Sequence, residues 1–70
     1  MTNEELTARL AAVGEQLNAA RKAKKMSYRD YEEATGINHS NLNRIERGLL
    51  VPRLDTLLKM IDATGAKITL

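Results

Sequence analysis

The sequence predicts an all-α fold, a compact bundle of roughly four to five short helices with a possible short strand at the C-terminus. Apolar residues recur at three- and four-residue spacings along most of the chain. Residues that favour helix N-termini precede these segments, and glycines follow them. At 70 residues the chain is the size of one domain, which we assign to residues 1–70.

The composition limits how so small a domain can be stabilised. A chain of this length buries only about 60% of the surface that its unfolded form exposes, so small domains commonly need a disulfide, a metal or a partner chain. The sequence has no cysteine and one histidine, His39, which excludes a disulfide and a structural zinc site. We therefore expect no metal and no cofactor, and we expect close helix packing, a homodimer, or both.

Neither export nor membrane insertion is indicated. The first residues are polar and acidic, and no apolar run approaches the roughly 20 residues that cross a bilayer. The sequence therefore predicts no signal peptide and no membrane partner. The absence of cysteine is typical of a cytoplasmic protein.

The charge of the chain is only mildly basic. A net charge of +2, from 11 Lys and Arg against 9 Asp and Glu, does not by itself indicate a nucleic-acid partner. The cations are clustered, however, at Arg21, Lys22, Lys24, Lys25 and Arg29. Such a cluster is consistent with a helix C-terminus, whose dipole attracts cations, or with a surface for nucleic acid.

The first helix is predicted from a capping box, Thr2 followed three residues later by Glu5. A narrow apolar stripe then runs at spacings of four and three residues: Leu6, Leu10, Val13, Leu17 and Ala20. This stripe is typical of a core-facing helix, although a coiled coil uses the same spacing. Because Gly14 interrupts it, the sequence allows one bent helix over about residues 3–25, or two helices that meet at Gly14.

A second helix is predicted over about residues 28–35. Ser27 precedes it as a favourable N-cap, and Asp30 lies in its first turn. Gly36 follows it and can adopt the left-handed conformation that ends a helix.

A third helix is predicted over about residues 39–47. Asn38 is placed to cap its N-terminus, and Gly48 is placed to end it. Leu42 and Ile45 are its apolar positions, so we expect them to face the core.

The last helix carries apolar residues at positions i, i+3, i+4 and i+7, which are Leu54, Leu57, Leu58 and Ile61. Pro52 stops the preceding helix from continuing, Asp55 lies in the first turn, and Gly65 lies just beyond the end. Residues 67–70 then alternate polar and apolar like a short strand. Such a strand could pair with its copy in a dimer, or it could fray.

Residues 28–47 have the layout of a helix-turn-helix. A tight turn between two short helices forces them to cross at a steep angle, with Gly36 at the corner and Ile37 filling the angle. If Leu42 and Ile45 face inward, a polar and basic face without a carboxylate points outward. Its residues are His39, Ser40, Asn43, Arg44 and Arg47. Such a face suits base edges and phosphates in a major groove, so double-stranded DNA is the expected partner.

Several residues and segments together form a more specific pattern. They are Leu17, Arg21, Ser27, residues 34–38 (Ala-Thr-Gly-Ile-Asn), residues 42–48 (Leu-Asn-Arg-Ile-Glu-Arg-Gly), Pro52 and residues 54–59 (Leu-Asp-Thr-Leu-Leu-Lys). With these, about residues 13–65 resemble the lambda-repressor-like, Cro/C1-type helix-turn-helix domains of the XRE family. The resemblance implies a bacterial or phage-encoded protein, nucleoid-associated when bound, with a recognition helix that begins near His39. Residues 2–12 would be a helical extension and residues 66–70 a tail.

The resemblance also implies roles for individual residues. The positions expected to contact bases are His39, Ser40 and Arg44, to which we add Asn43 from the same outward face. The positions expected to contact phosphates are Asn38, Arg47 and Arg53, to which we add Tyr28 at the start of the second helix. Arg21 and Glu46 match a partly buried structural ion pair that ties the first helix to the recognition helix.

Four positions depart from the family's pattern. Tyr28 stands where Gln is usual, so a bidentate contact to adenine from that site is lost. Tyr31 and Glu32 stand where Leu and a small Ala are usual. We expect Glu32 to turn outward and pair with a neighbour such as Arg29, or the helices to lie further apart. Arg53 replaces the usual Ser or Thr cap of the last helix, which weakens that helix start but adds a cation on the DNA side.

The expected function is sequence-specific regulation of transcription by a homodimeric repressor whose recognition helix enters the major groove. The alternative is an antitoxin that binds a toxin protein and autoregulates its operon, because residues 65–70 are similar to the ends of antitoxins of this fold. An enzyme is not expected, since the sequence has neither a catalytic constellation nor a phosphate-binding glycine loop. Three segments are candidates for the dimer contact: the N-terminal stripe, residues 49–51 and the terminal strand.

Overall fold

The computed structural model describes the whole chain, Met1 to Leu70, and contains four helices and no strand. The helices are α1 (Asn3–Ala23), α2 (Tyr28–Thr35), α3 (His39–Glu46) and α4 (Leu54–Thr64). The all-α prediction is confirmed, and the chain forms four helices rather than five. None of the four combines the length and the apolar character that crossing a bilayer requires.

α1 is one continuous helix that passes through Gly14 without a break, which decides between the two alternatives. At its start half of the predicted capping box forms: the Thr2 hydroxyl accepts a hydrogen bond from the Glu5 backbone N–H, at 3.1 Å. The Glu5 carboxylate accepts from the Thr2 hydroxyl, at 3.3 Å, and not from the Thr2 backbone N–H. The apolar stripe faces the core only in the second half of the helix, where Val13 and Leu17 are buried. Leu6, in the first half, remains 45% exposed.

The caps of α2 and α3 form as their local sequences predict. The Ser27 hydroxyl accepts from the Asp30 N–H while the Asp30 carboxylate accepts from the Ser27 N–H, a complete capping box. Gly36 ends α2 with a φ of 72°, in the left-handed region that favours glycine. Asn38 caps α3 by accepting from the Ser40 N–H, at 2.8 Å. The helix ends at Glu46, with Arg47 as its C-cap.

Each helix contributes one fully buried side chain to a single core. These are Leu17 of α1, Tyr31 of α2, Leu42 of α3 and Met60 of α4. Val13, Ile45 and Ala66 complete the buried cluster. Burying one large apolar side chain contributes about 1.5–3 kcal/mol, so these contacts hold the three short helices to one another and to α1.

Tyr31, one of the departures from the family's pattern, fills its core position but leaves its hydroxyl oxygen without a hydrogen-bond partner. Burial raises the pKa of Tyr31, and the negative charge of Glu46 raises it further, so the group is a neutral hydroxyl. A buried hydroxyl without a partner costs about 1–3 kcal/mol. Phenylalanine would fill the same space without that cost.

The buried face of α4 differs from the predicted one. Met60 and Thr64 are its buried residues, whereas Leu54 and Leu58 are 72% and 57% exposed. Leu57 and Ile61 are half-buried against the core. Thr64 is acceptable inside because its hydroxyl donates to the Met60 carbonyl, at 2.8 Å. The apolar spacing located the helix correctly but placed its core face a fraction of a turn away from the true one.

The C-terminal tail is not a strand within the chain; it lies against α1. The Gln16 side-chain amide donates to the Thr69 carbonyl at 3.0 Å and accepts from the Thr69 N–H at 2.7 Å. Gln16 thus makes both hydrogen bonds that a neighbouring strand would make. Ala66 is buried and Ile68 packs against the core, so the tail is docked on the bundle rather than frayed.

Candidate nucleic-acid interface

The rotation of α3 about its axis is set by its two apolar residues. Leu42 is fully buried and Ile45 is 3% exposed, so the opposite side of the helix points away from the bundle. His39, Ser40, Arg44 and Arg47 are exposed on that side, and Asn43 is half-buried. Together with Tyr28 and Leu49 they line one shallow depression, which we call the α3 face.

The structure therefore brings together most of the residues that the sequence predicts for the site. Asn38 adjoins the α3 face as the cap of α3. Arg53 lies apart from it, at the start of α4, where it lines a different depression with Ile37 and Val51. Its guanidinium lies 3.3 Å from the Asp55 carboxylate, and its side chain makes no capping hydrogen bond to α4.

The α3 face is basic because the one carboxylate of α3 is turned into the protein. Glu46 contacts Arg21 of α1, with 2.8 Å between Arg21 Nε and Glu46 Oε2, and only 2% of the Glu46 side chain is exposed. Arg44 and Arg47 have no carboxylate within ion-pair distance. Their positive charges are therefore available to an anionic partner.

Each nitrogen of the buried Arg21 guanidinium makes at least one hydrogen bond. Besides Glu46, the guanidinium donates to the Met26 carbonyl and to the Asn18 side chain, both at 2.9 Å. Burial by itself lowers the pKa of Arg21, but the hydrogen bond and charge of Glu46 outweigh this effect, and the pKa is raised. Arg21 therefore stays charged, and its contact with Glu46 joins α1 to the C-terminal end of α3.

Tyr28 is tied into this ion pair. The Arg21 guanidinium lies over its ring, 4.2 Å from the centroid. The Tyr28 hydroxyl donates to Glu46 Oε1 at 2.5 Å and accepts from Asn43 Nδ2 at 3.1 Å. A hydroxyl has one proton, and in this arrangement Glu46 takes it. In this arrangement the Tyr28 hydroxyl has no proton left for a phosphate, and the phosphate contact expected of Tyr28 stays a prediction.

Glu32 turns outward, as one of the two alternatives expected, but its partner is His39 and not Arg29. Its carboxylate accepts from the His39 backbone N–H at 2.7 Å and lies 3.7 Å from His39 Nδ1. It does not pair with Arg29, whose partner is Glu33 at 3.7 Å. A carboxylate is stabilised at a helix N-terminus, and the tight turn brings the end of α2 to the start of α3. These two facts, taken together, could have predicted from the sequence that Glu32 contacts the N-terminus of α3.

Neither a metal site nor a nucleophile with a base is formed at the α3 face. No group of three or more His, Cys, Asp or Glu side chains lies close enough to hold a metal ion. The face offers instead a histidine, a hydroxyl, an amide and two guanidinium groups, side by side and open to solvent. These groups can form hydrogen bonds with base edges and ion pairs with phosphates.

Comparison with known proteins gives two matches. The family model described as "Helix-turn-helix domain" matches residues 12–70. An uncharacterized HTH-type transcriptional regulator, y4dL, of Sinorhizobium fredii (strain NBRC 101917 / NGR234) is 38% identical over 58 residues. That alignment covers 83% of this chain but only 30% of the regulator, so this chain spans less than a third of the relative's length. No solved structure matches the chain.

Proposed function

The chain belongs to the helix-turn-helix domain family, and from this premise we propose that it is a sequence-specific regulator of transcription of the Cro/C1 type. In this proposal α3 enters the major groove of double-stranded DNA. The observation that carries it is the α3 face: side chains able to contact bases lie side by side, and the helix's one carboxylate is buried against Arg21. The chain acts by binding, and no catalytic step is assigned to it.

The side chains of the α3 face divide into two groups by position. Those near the middle of the face would contact bases: His39, Ser40, Asn43 and Arg44. Those at its two ends, Asn38 and Arg47, would contact phosphates, with Arg53 reaching the backbone further away. The N-terminus of α2 would add main-chain N–H groups, because the capping box of Ser27 and Asp30 leaves those of Tyr28 and Arg29 unbonded.

The proposed regulatory role is repression of transcription. The S. fredii relative is described as a transcriptional regulator, and we extend that role to this chain. We propose repression, since a protein that occupies DNA at a promoter needs only the binding surface described above to exclude other proteins from it.

Replacing Arg44 with alanine should lower affinity for the preferred DNA site by about tenfold to hundredfold, the range expected for one bidentate contact to a base. The measurement is fluorescence anisotropy with a duplex obtained by in vitro selection, titrated at several salt concentrations. Lys59→Ala is the matched control, because it removes one positive charge from the exposed side of α4. Equal binding by Arg44→Ala and the parent protein, or affinity that does not fall with salt, would contradict the proposal.

A homodimer is the second part of the proposal, and one surface favours it. The three candidate dimer segments meet in a single apolar groove. Its lining residues include Leu6, Leu10, Val51, Pro52, Leu57 and Leu70. Val51 is 65% exposed there, and an apolar surface of this kind is typical of an interface. We propose that a second copy of the chain covers the groove and spaces two α3 helices about one DNA turn apart.

Sedimentation velocity at micromolar concentration should accordingly show a dimer, and Val51→Glu should convert it to a monomer. Leu54→Glu is the control, because Leu54 is 72% exposed, close to the value for Val51, but lies outside the groove. A parent protein that sediments as a monomer, and selects DNA sites without two-fold symmetry, would exclude the dimer.

The antitoxin alternative rested on a terminal strand, and the fold does not distinguish it from a repressor. Residues 66–70 form no strand, and Gln16 makes hydrogen bonds to both main-chain groups of Thr69. Copurification of a toxin protein encoded beside this chain would be the evidence for that role.

A further inference from the structure

The hydrogen bonds that link Arg21, Glu46, Tyr28 and Asn43 form one continuous chain from the core to the α3 face. Its last member, Asn43, is half-buried and lines the α3 face. The direction of proton donation along these hydrogen bonds follows from which groups can donate and which can accept. Arg21 can only donate, and an ionised carboxylate can only accept, so Glu46 must receive a proton from each neighbour.

The same reasoning gives the direction of the hydrogen bond between Tyr28 and Asn43. Because the Tyr28 hydroxyl gives its one proton to Glu46 at 2.5 Å, its oxygen can only accept from Asn43. The Asn43 amide must therefore present its nitrogen to Tyr28, at 3.1 Å, and turn its oxygen away. A rotation of the amide by 180° would set two acceptors against each other.

We propose that Tyr28 is a positioning residue that fixes the orientation of the Asn43 amide, so that Asn43 reads an adenine in the major groove. The proposal rests on the DNA-binding function proposed above. The held amide retains one acceptor, Oδ1, and one N–H donor, which make no hydrogen bond within the chain. Adenine presents the complement, the N6 donor beside the N7 acceptor.

The other bases fit this amide less well. Guanine presents two acceptors at its major-groove edge, cytosine one donor, and thymine one acceptor and a methyl group. Cytosine could satisfy Oδ1 alone, and neither guanine nor thymine could satisfy it. Holding the amide in one orientation before binding favours adenine, because the conformational entropy of the side chain is lost when the protein folds and not when it binds DNA.

The test uses the full chain and four synthetic duplexes. Each duplex carries the selected site with a different base at one position. That position is the one at which the Asn43→Ala variant no longer prefers one base over the others. The parent protein should prefer adenine there by about tenfold to hundredfold, as for one bidentate contact, and Tyr28→Phe should reduce that preference to about threefold or less. Tyr31→Phe is the control, since it removes a neighbouring hydroxyl that has no partner, and it should discriminate like the parent.

Three results would overturn the inference while leaving the DNA-binding function in place. Tyr28→Phe could keep the parent's preference, or the preferred base could be other than adenine. Tyr28→Phe could also weaken all four duplexes equally, which would make Tyr28 a phosphate contact. A parent protein that selects no sequence at all would overturn both proposals together.

Circular dichroism shows whether Tyr28→Phe folds, and the substitution keeps the ring that stacks on Arg21. If the variant does not fold, nuclear magnetic resonance of the parent protein decides. The Asn43 amide should occupy one rotamer with its nitrogen toward Tyr28, and exchange between two rotamers would overturn the inference.

Discussion

Gly14→Ala should destabilise the chain by about 2 kcal/mol or more, although alanine normally favours a helix over glycine by about 1 kcal/mol. The reason is the close approach of α1 to the end of α3. A Cβ atom at Gly14 would lie 2.5 Å from the Ile45 carbonyl oxygen and 2.8 Å from the Glu46 carbonyl carbon, and closer still to the Glu46 carbonyl oxygen. These are backbone atoms, so no side chain can turn aside to make room.

The expected displacement of α1 reaches beyond the local contact. α1 also carries Arg21, whose partner Glu46 belongs to the same end of α3 that the new methyl group would push away. We therefore expect the variant to weaken the ion pair and to shift the α3 face. Gly14→Val, with a larger side chain, should leave the chain unfolded at room temperature.

Urea denaturation followed by circular dichroism measures this effect. Glu15→Ala is the matched control: it lies next to Gly14 but is exposed, so it should change the free energy of unfolding by no more than about 0.5 kcal/mol. A Gly14→Ala protein as stable as the parent would show that α1 and α3 lie further apart than the structure has them.

Glu46→Ala should lower the free energy of unfolding by about 3–5 kcal/mol, the range for breaking a buried ion pair by removing one partner. The substitution leaves the Arg21 guanidinium buried without a counter-charge, and the Tyr28 hydroxyl loses the acceptor of its proton. A chain of 70 residues has little stability in reserve, so the variant should unfold at a much lower urea concentration than the parent protein.

A double variant separates the cost of the orphaned charge from the value of the pair. Arg21→Met combined with Glu46→Leu replaces both charges with apolar groups, and it should lose much less stability than the two single variants together. Chemical denaturation of the four proteins gives the coupling free energy. A loss below about 1 kcal/mol for Glu46→Ala would place the pair among solvent-exposed ones, contrary to the 2% exposure of Glu46.

The features that were correct from sequence are those decided by neighbours along the chain. Ser27 with Asp30, and Asn38 with Ser40, lie within three residues of each other, so their caps form wherever the segment sits. The outward face of α3 followed from Leu42 and Ile45, because only one side of so short a helix is apolar.

The features that were wrong or left open depend on residues far apart in sequence. In α4 several apolar side chains could face the core. The positions of α1 and α2 bury Met60 and leave Leu54 and Leu58 exposed. The tail looked like a strand because its pattern alternates, but Gln16 of α1 supplies its hydrogen bonds. No local rule joins Gln16 to Thr69.

The sequence by itself thus predicted α2, α3 and α4, the caps of α2 and α3 and the basic α3 face, because periodicity and capping act within one or two turns. It left open whether the first segment forms one helix or two. The tertiary structure decided which helix faces are buried, why position 14 is glycine, and where Glu32 and Tyr28 direct their polar groups. These outcomes depend on distances between separate helices. Such distances follow from how the side chains of all four helices fill one core, which no single segment specifies.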